Sequence, residues 1–145
     1  MAFDFNSISP TNITAGTLTQ SITQLTADAN WPANGNVIPG MTKTVTTTNR
    51  PHLIIVSGVY YGNNTGATQN PMIELQEDGV KLQRAIPGPC AQAQNIGFSS
   101  MMILRTPTAG SHTYRVVSQA GGDASGSSFL GGIANPSLII IELVG

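Results

Sequence analysis

The stretch that decides the fold of this chain is Ser137-Leu138-Ile139-Ile140-Ile141-Glu142-Leu143-Val144-Gly145. An unbroken run of Ile, Leu and Val favours a β-strand, and the run has the length of a strand rather than a helix. Because alternate strand side chains face opposite ways, Ile139 and Ile141 share one face, and Ile140 shares the other with Glu142. In a strand with one solvent-exposed face, apolar and polar residues should alternate. They hardly alternate in this stretch, so we expect a strand that is covered on both sides.

Two further segments, 52–61 and 96–104, are apolar on both faces in the same way. In the first, Leu53, Ile55 and Val59 lie opposite Ile54, Val56 and Tyr60. In the second, Ile96, Phe98, Met102 and Leu104 lie opposite Met101 and Ile103. A chain of 145 residues forms one domain, so the sequence raises the question of what covers the second face of these three strands.

The remaining strands are more polar and are separated by turns. Segments 17–25, 41–49 and 111–118 are Thr-rich or alternating, and Thr is a poor helix former. Segment 72–82 is predicted to be a hairpin, because Asp78-Gly79 lies between two alternating stretches. About eight short strands with turns between them predict an all-β, eight-stranded antiparallel jelly-roll sandwich over residues 17–145.

Residues 1–16 carry scattered apolar side chains without a helical or strand period. These residues are Phe3, Phe5, Ile8 and Ile13. We expect an extended N-terminal arm that docks on a partner, and a disordered leader is the alternative.

The composition restricts the classes of partner. Charged residues make up 9% of the chain and the net charge is −1, against about 25% charged residues in ordinary domains. Nucleic-acid binding through a basic field is therefore not expected, and a weakly charged surface favours association. No signal peptide and no membrane-spanning run of about 20 apolar residues is recognisable, so we expect synthesis in a cytoplasm and no membrane insertion.

No catalytic, cofactor or metal site is predicted, and the chain is interpreted as not an enzyme. The acids are scattered, and Glu77-Asp78 is expected to be a solvated hairpin tip. His52 and His112 have no carboxylate nearby in the sequence, which argues against a metal site. Cys90 has no basic neighbour and is expected to be unreactive.

Three other features leave alternatives open. Trp31, Phe129 and Leu130 lie in polar or Gly-rich loops, where they either bind a ligand or anchor the loop. Glu142 needs a partner if its face is buried, and Arg50, Arg105 or Arg115 could supply one. If the strand end is exposed, Glu142 needs none.

Segments 52–61 (HLIIVSGVYY), 110–117 (GSHTYRVV) and 136–145 (PSLIIIELVG) together resemble the tumour-necrosis-factor/C1q-type jelly roll of tailed-phage structural proteins, over roughly residues 40–145. In that family the third, sixth and last strands belong to a sheet that lines a homotrimer axis. The resemblance therefore implies a trimer interface made by the strands that are apolar on both faces. The predicted interface residues are Ile54, Val56, Tyr60, Met101, Ile103, Leu138, Ile140, Glu142 and Val144.

The expected function is that of a homotrimeric capsid decoration (cement) protein, located on the virion surface, which binds the major capsid protein and stabilises a phage head. The alternative is a receptor- or glycan-binding fibre tip, in which loops 62–71 and 119–136 meet a host surface glycan. A secreted trimeric signalling or lectin-like domain is disfavoured because no signal sequence is recognisable.

Overall fold

The computed structural model describes residues 19–24, 29–30, 35–61, 71–85, 95–120, 128–129 and 136–143. Their regular elements are β-strands, of which eight have six or more residues. The strands are β1 (Thr19–Gln24), β2 (Ala29–Asn30), β3 (Val37–Thr47), β4 (His52–Tyr61), β5 (Pro71–Glu77), β6 (Val80–Ala85), β7 (Asn95–Arg105), β8 (Gly110–Ala120), β9 (Ser128–Phe129) and β10 (Ser137–Glu142).

The strands form two antiparallel sheets. The first runs in the order β1-β10-β4-β9-β2, with β7 also paired to β4, and the second runs β3-β8-β5-β6. Strands that are distant in sequence, such as β4 and β10, are neighbours in the sheet. This arrangement confirms the predicted eight-stranded antiparallel jelly-roll sandwich.

The core lies between the two sheets. Both contribute fully buried aliphatic side chains, and burial of each such side chain stabilises the fold by about 1.5–3 kcal/mol. The core cluster consists of Ile38, Met41, Ile54, Val56, Ile73, Leu75, Met101, Tyr114, Val116, Leu138 and Ile140.

The hairpin between β5 and β6 is confirmed. Its two turn residues, Asp78 and Gly79, have φ angles of 51° and 85°. Positive φ at both central residues is the requirement of a type I′ turn, which suits the twist of a two-residue hairpin.

Pro and Gly are typical turn residues, yet the Pro39-Gly40 pair lies inside a strand, because β3 begins at Val37. The register against β8 shifts between Val37 and Thr42, and Gly40 has a φ of 75°. The pair therefore lies at an irregularity within a strand, a position where Gly and Pro are tolerated.

The facing of the central strands is the reverse of the predicted one. The side chains of Ile54, Val56, Leu138, Ile140 and Met101 are 0–3% exposed and pack toward the second sheet, with Ile103 beside them. In a sandwich one face of each strand must cover the opposite sheet. Six of the predicted interface residues therefore belong to the core of the single chain or pack against it, whereas Glu142 is not in the core and the side chains of Tyr60 and Val144 lie outside the described residues.

Candidate functional site

The outward side of the first sheet carries two rows of apolar side chains that align across the strands. One row pairs Ile22 with Ile139, Ile139 with Ile55, and Ile55 with Met102. The other pairs Ile141 with Leu53, and Leu53 with Leu104. We call this surface the outer apolar face, and its residues are Ile22, Leu53, Ile55, Met102, Leu104, Ile139 and Ile141.

The outer apolar face is open to solvent in the single chain. Ile22, Met102 and Leu104 are 47%, 61% and 67% exposed, and the other four side chains are partly buried. Isolated exposed aliphatic residues are common, whereas a contiguous patch is typical of an interaction site. Cross-strand neighbours on one face lie about 5 Å apart, so these side chains form one continuous surface.

A polar network closes one end of the sandwich, and its central group is Glu77 at the end of β5. The Glu77 side chain is only 6% exposed. The Tyr114 hydroxyl donates to its Oε1 at 2.9 Å, and Arg105 Nε donates to its Oε2 at 2.8 Å. The prediction of a solvated tip is wrong for Glu77, because the β5–β8 register places it opposite Tyr114.

His112 extends the network and is held as an imidazolium. Its Nδ1 lies 2.8 Å from Asp78 Oδ2, and its Nε2 lies 2.9 Å from the Thr108 carbonyl oxygen. A carbonyl oxygen and a carboxylate both accept, so both ring nitrogens carry hydrogens. The expectation that His112 has no carboxylate nearby is therefore wrong, and neither nitrogen is free to ligate a metal or act as a base.

The contacts between His112 and Asp78 shift the pKa values of both groups. Desolvation alone would lower the pKa of His112, but the bonds to the Thr108 carbonyl and Asp78 outweigh it and raise the pKa above its ordinary value. The backbone N–H of Thr113, 2.7 Å from Asp78 Oδ1, and the His112 ring lower the pKa of the Asp78 carboxyl.

His52 connects the network to Glu142. Burial is the main cause of the raised pKa of the Tyr114 phenol, and the bond to Glu77 is the second. The phenol therefore keeps its proton, which it donates to Glu77. His52 Nδ1, 3.2 Å from the Tyr114 oxygen, must therefore donate to that oxygen. His52 Nε2 then faces Glu142 Oε2 at 3.5 Å, and Arg50 lies 3.6 Å from Glu142 Oε1.

Of the three arginines predicted as partners for Glu142, the structure pairs Arg50 with it. Arg105 bonds Glu77, and Arg115 Nε donates to Gln76 Oε1 at 2.8 Å. The pairing with His52 was not predicted, since β4 and β10 meet only in the folded sheet, where His52 is the register partner of Glu142.

A cleft of about 330 Å³ opens beside His52 and Glu142. It lies where β1, β10 and β4 of the first sheet face β3 of the second. Its lining residues are Ser21, Lys43, Thr44, Val45, Thr46, His52, Ile140 and Glu142.

Several predicted site residues lie outside the described part of the chain. These are Phe3, Phe5, Ile8, Ile13, Trp31, Leu130 and Val144, together with residues 62–70 of loop 62–71 and most of loop 119–136. Phe129 is in β9 and pairs with Tyr60 of β4, but the side chains of these two residues are not described.

Two features are absent from the described residues. No group of three or more His, Cys, Asp or Glu side chains there could hold a metal ion. The same part of the chain has no helix long and apolar enough to span a membrane.

The pH dependence of stability is expected to reveal the His112–Asp78 pair. A raised His112 pKa stabilises the fold fully below the unfolded value of 6.5, and this contribution is lost as pH rises through the folded pKa. A lowered Asp78 pKa stabilises fully above the unfolded value of 3.8, and this contribution is lost as pH falls through the folded pKa. The pair therefore stabilises most between these two values.

The measurement is urea denaturation of wild type and His112→Gln at about pH 5 and about pH 9. Since Asp78 is 48% exposed, we expect the wild type to lose about 1 kcal/mol more than the variant between the two pH values. Equal losses in the two proteins would show that His112 is not held as an imidazolium.

Comparison with known proteins gives the fold. No protein-family model and no curated protein sequence matches the chain. A mutant VP2 protein of infectious bursal disease virus, from T=1 particles, matches 88% of this chain with a TM-score of 0.50 and 12% identity. The chain shares its fold with a viral jelly-roll capsid protein. It spans about a third of the VP2 chain, 32% in this match.

Two further solved structures are similar. The VP2 subviral particle of the same virus has a TM-score of 0.50 at 12% identity, and the match covers 88% of this chain and 33% of VP2. The C-terminal domain of EclA, a sugar-binding protein, has a TM-score of 0.45 at 15% identity, over 86% of this chain and 79% of that domain. At these identities the similarity is one of fold alone.

Proposed function

We propose that this protein is a non-enzymatic structural component of a virion, which works as a homo-oligomer packed through the outer apolar face. The observation that carries the proposal is the in-register alignment of seven aliphatic and methionine side chains on an exposed sheet. Covering such a surface with a second subunit removes apolar area from water, which is the main driving force of association.

The finer proposal is a homotrimeric decoration protein of a phage head. The resemblance of segments 52–61, 110–117 and 136–145 to phage jelly rolls supports a trimer around the first sheet. A cyclic arrangement closes on itself and leaves the second sheet outward. Contact with the major capsid protein is assigned to the N-terminal arm, residues 1–16, and the assembled protein would lie on the capsid surface after synthesis in the host cytoplasm.

The oligomer is tested by a charge at Leu104. Wild type should have about three times the 15.1 kDa chain mass in light scattering at micromolar concentration. Leu104→Asp should have the mass of one chain, because an unpaired charge buried in each subunit contact costs several kcal/mol. The variant should keep its fold, since this side chain is 67% exposed in the single chain.

Val80→Asp is the matched control. Val80 is also 67% exposed, but it begins β6 in the second sheet, so this variant should keep the wild-type mass. A single-chain mass for wild type, or an unchanged mass for Leu104→Asp, would contradict assembly through the outer apolar face.

Decoration itself is tested by mixing purified protein with phage heads that lack it and sedimenting the heads. The full chain should bind, and a variant without residues 1–16 should remain trimeric but stay in the supernatant. If the full chain fails to bind, the decoration function is wrong, whereas normal binding by the truncated chain would reject only the role of the arm.

A further inference from the structure

We propose that the cleft beside Glu142 is a binding site for a neutral, hydroxyl-rich ligand of the size of one sugar ring. This inference does not rest on the oligomer, because the cleft opens at the edge of the sandwich and not on the outer apolar face. Its volume of about 330 Å³ lies at the low end of the range of about 300–1,000 Å³ for small-molecule sites.

The position of the cleft explains why it stays open. In the described residues, β1 pairs with β10 and β3 pairs with β8, so β1 and β3 are edge strands of opposite sheets. Farther along this edge, Thr23 Oγ1 donates to the Gly40 carbonyl at 2.8 Å and joins the two sheets. The cleft lies between these two edge strands, and its lining includes Ser21 of β1 and Val45 of β3.

The lining offers both kinds of surface that a sugar ring presents. Val45, which is only partly buried, supplies apolar contact for the C–H face of a ring. Ser21 supplies a hydroxyl, which both donates and accepts, while the Thr44 hydroxyl is already bonded to Thr113 at 2.9 Å. Purely apolar or purely charged ligands would leave part of this lining unsatisfied.

Glu142 is the principal acceptor of the cleft. The nearest basic nitrogens, in Arg50 and His52, are 3.6 and 3.5 Å away, which is longer than the ~2.9 Å of a charge-assisted hydrogen bond. The carboxylate, which is 15% exposed, therefore keeps acceptor positions for ligand hydroxyls. Lys43 lines the same cleft and supplies donors.

The charges favour a neutral ligand over an ion. An anion would meet the Glu142 carboxylate, and a cation would meet Lys43 with Arg50 nearby, so either would face a like charge. The anchoring groups are also rigid, because His52 is 1% exposed and is bonded to the buried Tyr114. A site held by strands is more precise than one held by loops.

The test is saturation-transfer difference NMR on the full chain. The probes are D-glucose, D-galactose, D-mannose and N-acetyl-D-glucosamine, with acetate and methylammonium as charged comparisons. We expect at least one sugar to bind with a millimolar Kd. Glu142→Gln should weaken that binding about tenfold or more, because it removes a charged hydrogen-bond acceptor.

Two hydroxyl variants keep the test decisive if Glu142→Gln fails to fold. Ser21→Ala removes a hydroxyl that lines the cleft and should weaken the same sugar severalfold. Thr42→Val removes a hydroxyl from the outward face of β3, away from the cleft, and should leave the Kd unchanged. Absence of a signal from every sugar, stronger signals from acetate or methylammonium, or equal effects of Ser21→Ala and Thr42→Val would overturn the proposal.

Discussion

Replacing Glu77 with alanine is expected to lower the free energy of unfolding by about 3 kcal/mol, because it leaves the buried Tyr114 hydroxyl without its acceptor and removes a charged hydrogen bond. The change removes the acceptor of the Tyr114 hydroxyl and of Arg105 Nε, and it also removes a carboxylate oxygen 3.5 Å from His112 Nδ1. Because Tyr114 is fully buried, its hydroxyl cannot turn to water instead. Urea denaturation followed by circular dichroism measures the loss.

Glu74→Ala is the matched control on the same strand. Glu74 is buried to a similar degree, 5% against 6% exposed, and it accepts from Gln76 and Arg84. Both donors reach solvent, so we expect a smaller loss of about 1–2 kcal/mol. Equal losses for the two variants would show that the network around Tyr114 contributes nothing beyond an ordinary surface pair.

The second large effect is expected at Ile140, which is 2% exposed between the sheets. Ile140→Asp should unfold the chain, because it creates a cavity worth about 2–5 kcal/mol and leaves a charge in an apolar core. The sum exceeds the stability of many single domains, about 5–15 kcal/mol. Circular dichroism and the amide dispersion of an NMR spectrum measure the outcome.

Ile139→Asp, one residue earlier, should give the opposite result. Its side chain belongs to the outer apolar face, so the variant should remain folded and lose only its oligomeric state. A folded, monomeric Ile140→Asp protein would instead mean that the predicted facing was correct and that the core shown by the structure is not the one present in solution.

The strands were predictable because their signals are local. Segment 17–25 was expected to be a strand despite helical spacing of its apolar residues, and β1 confirms this. The choice between the two faces of β4 and β10 was not predictable, because Leu53 and Ile55 are as apolar as Ile54 and Val56. Only the position of the second sheet decides between such faces.

The polar network could be predicted only in part. Tyr114 and Val116 share a strand face, and a phenol that is buried on such a face needs a hydrogen-bond partner. That partner, Glu77, is 37 positions away, and no local pattern connects the two residues. The cleft arises from the separation of two sheet edges and has no counterpart in the sequence.

The edge strand β6 limits the ways in which subunits can add to one another. It ends the second sheet, and its exposed residues include Lys81 and Arg84, two of only six basic residues in the chain. Lysine and arginine on an unpaired edge oppose the addition of a strand from another molecule. Growth by strand addition has no natural end and gives fibrils, whereas contact through a sheet face can close after a fixed number of copies. A chain with so few charges thus has two of them on β6, one of the edges at which unlimited strand addition could begin.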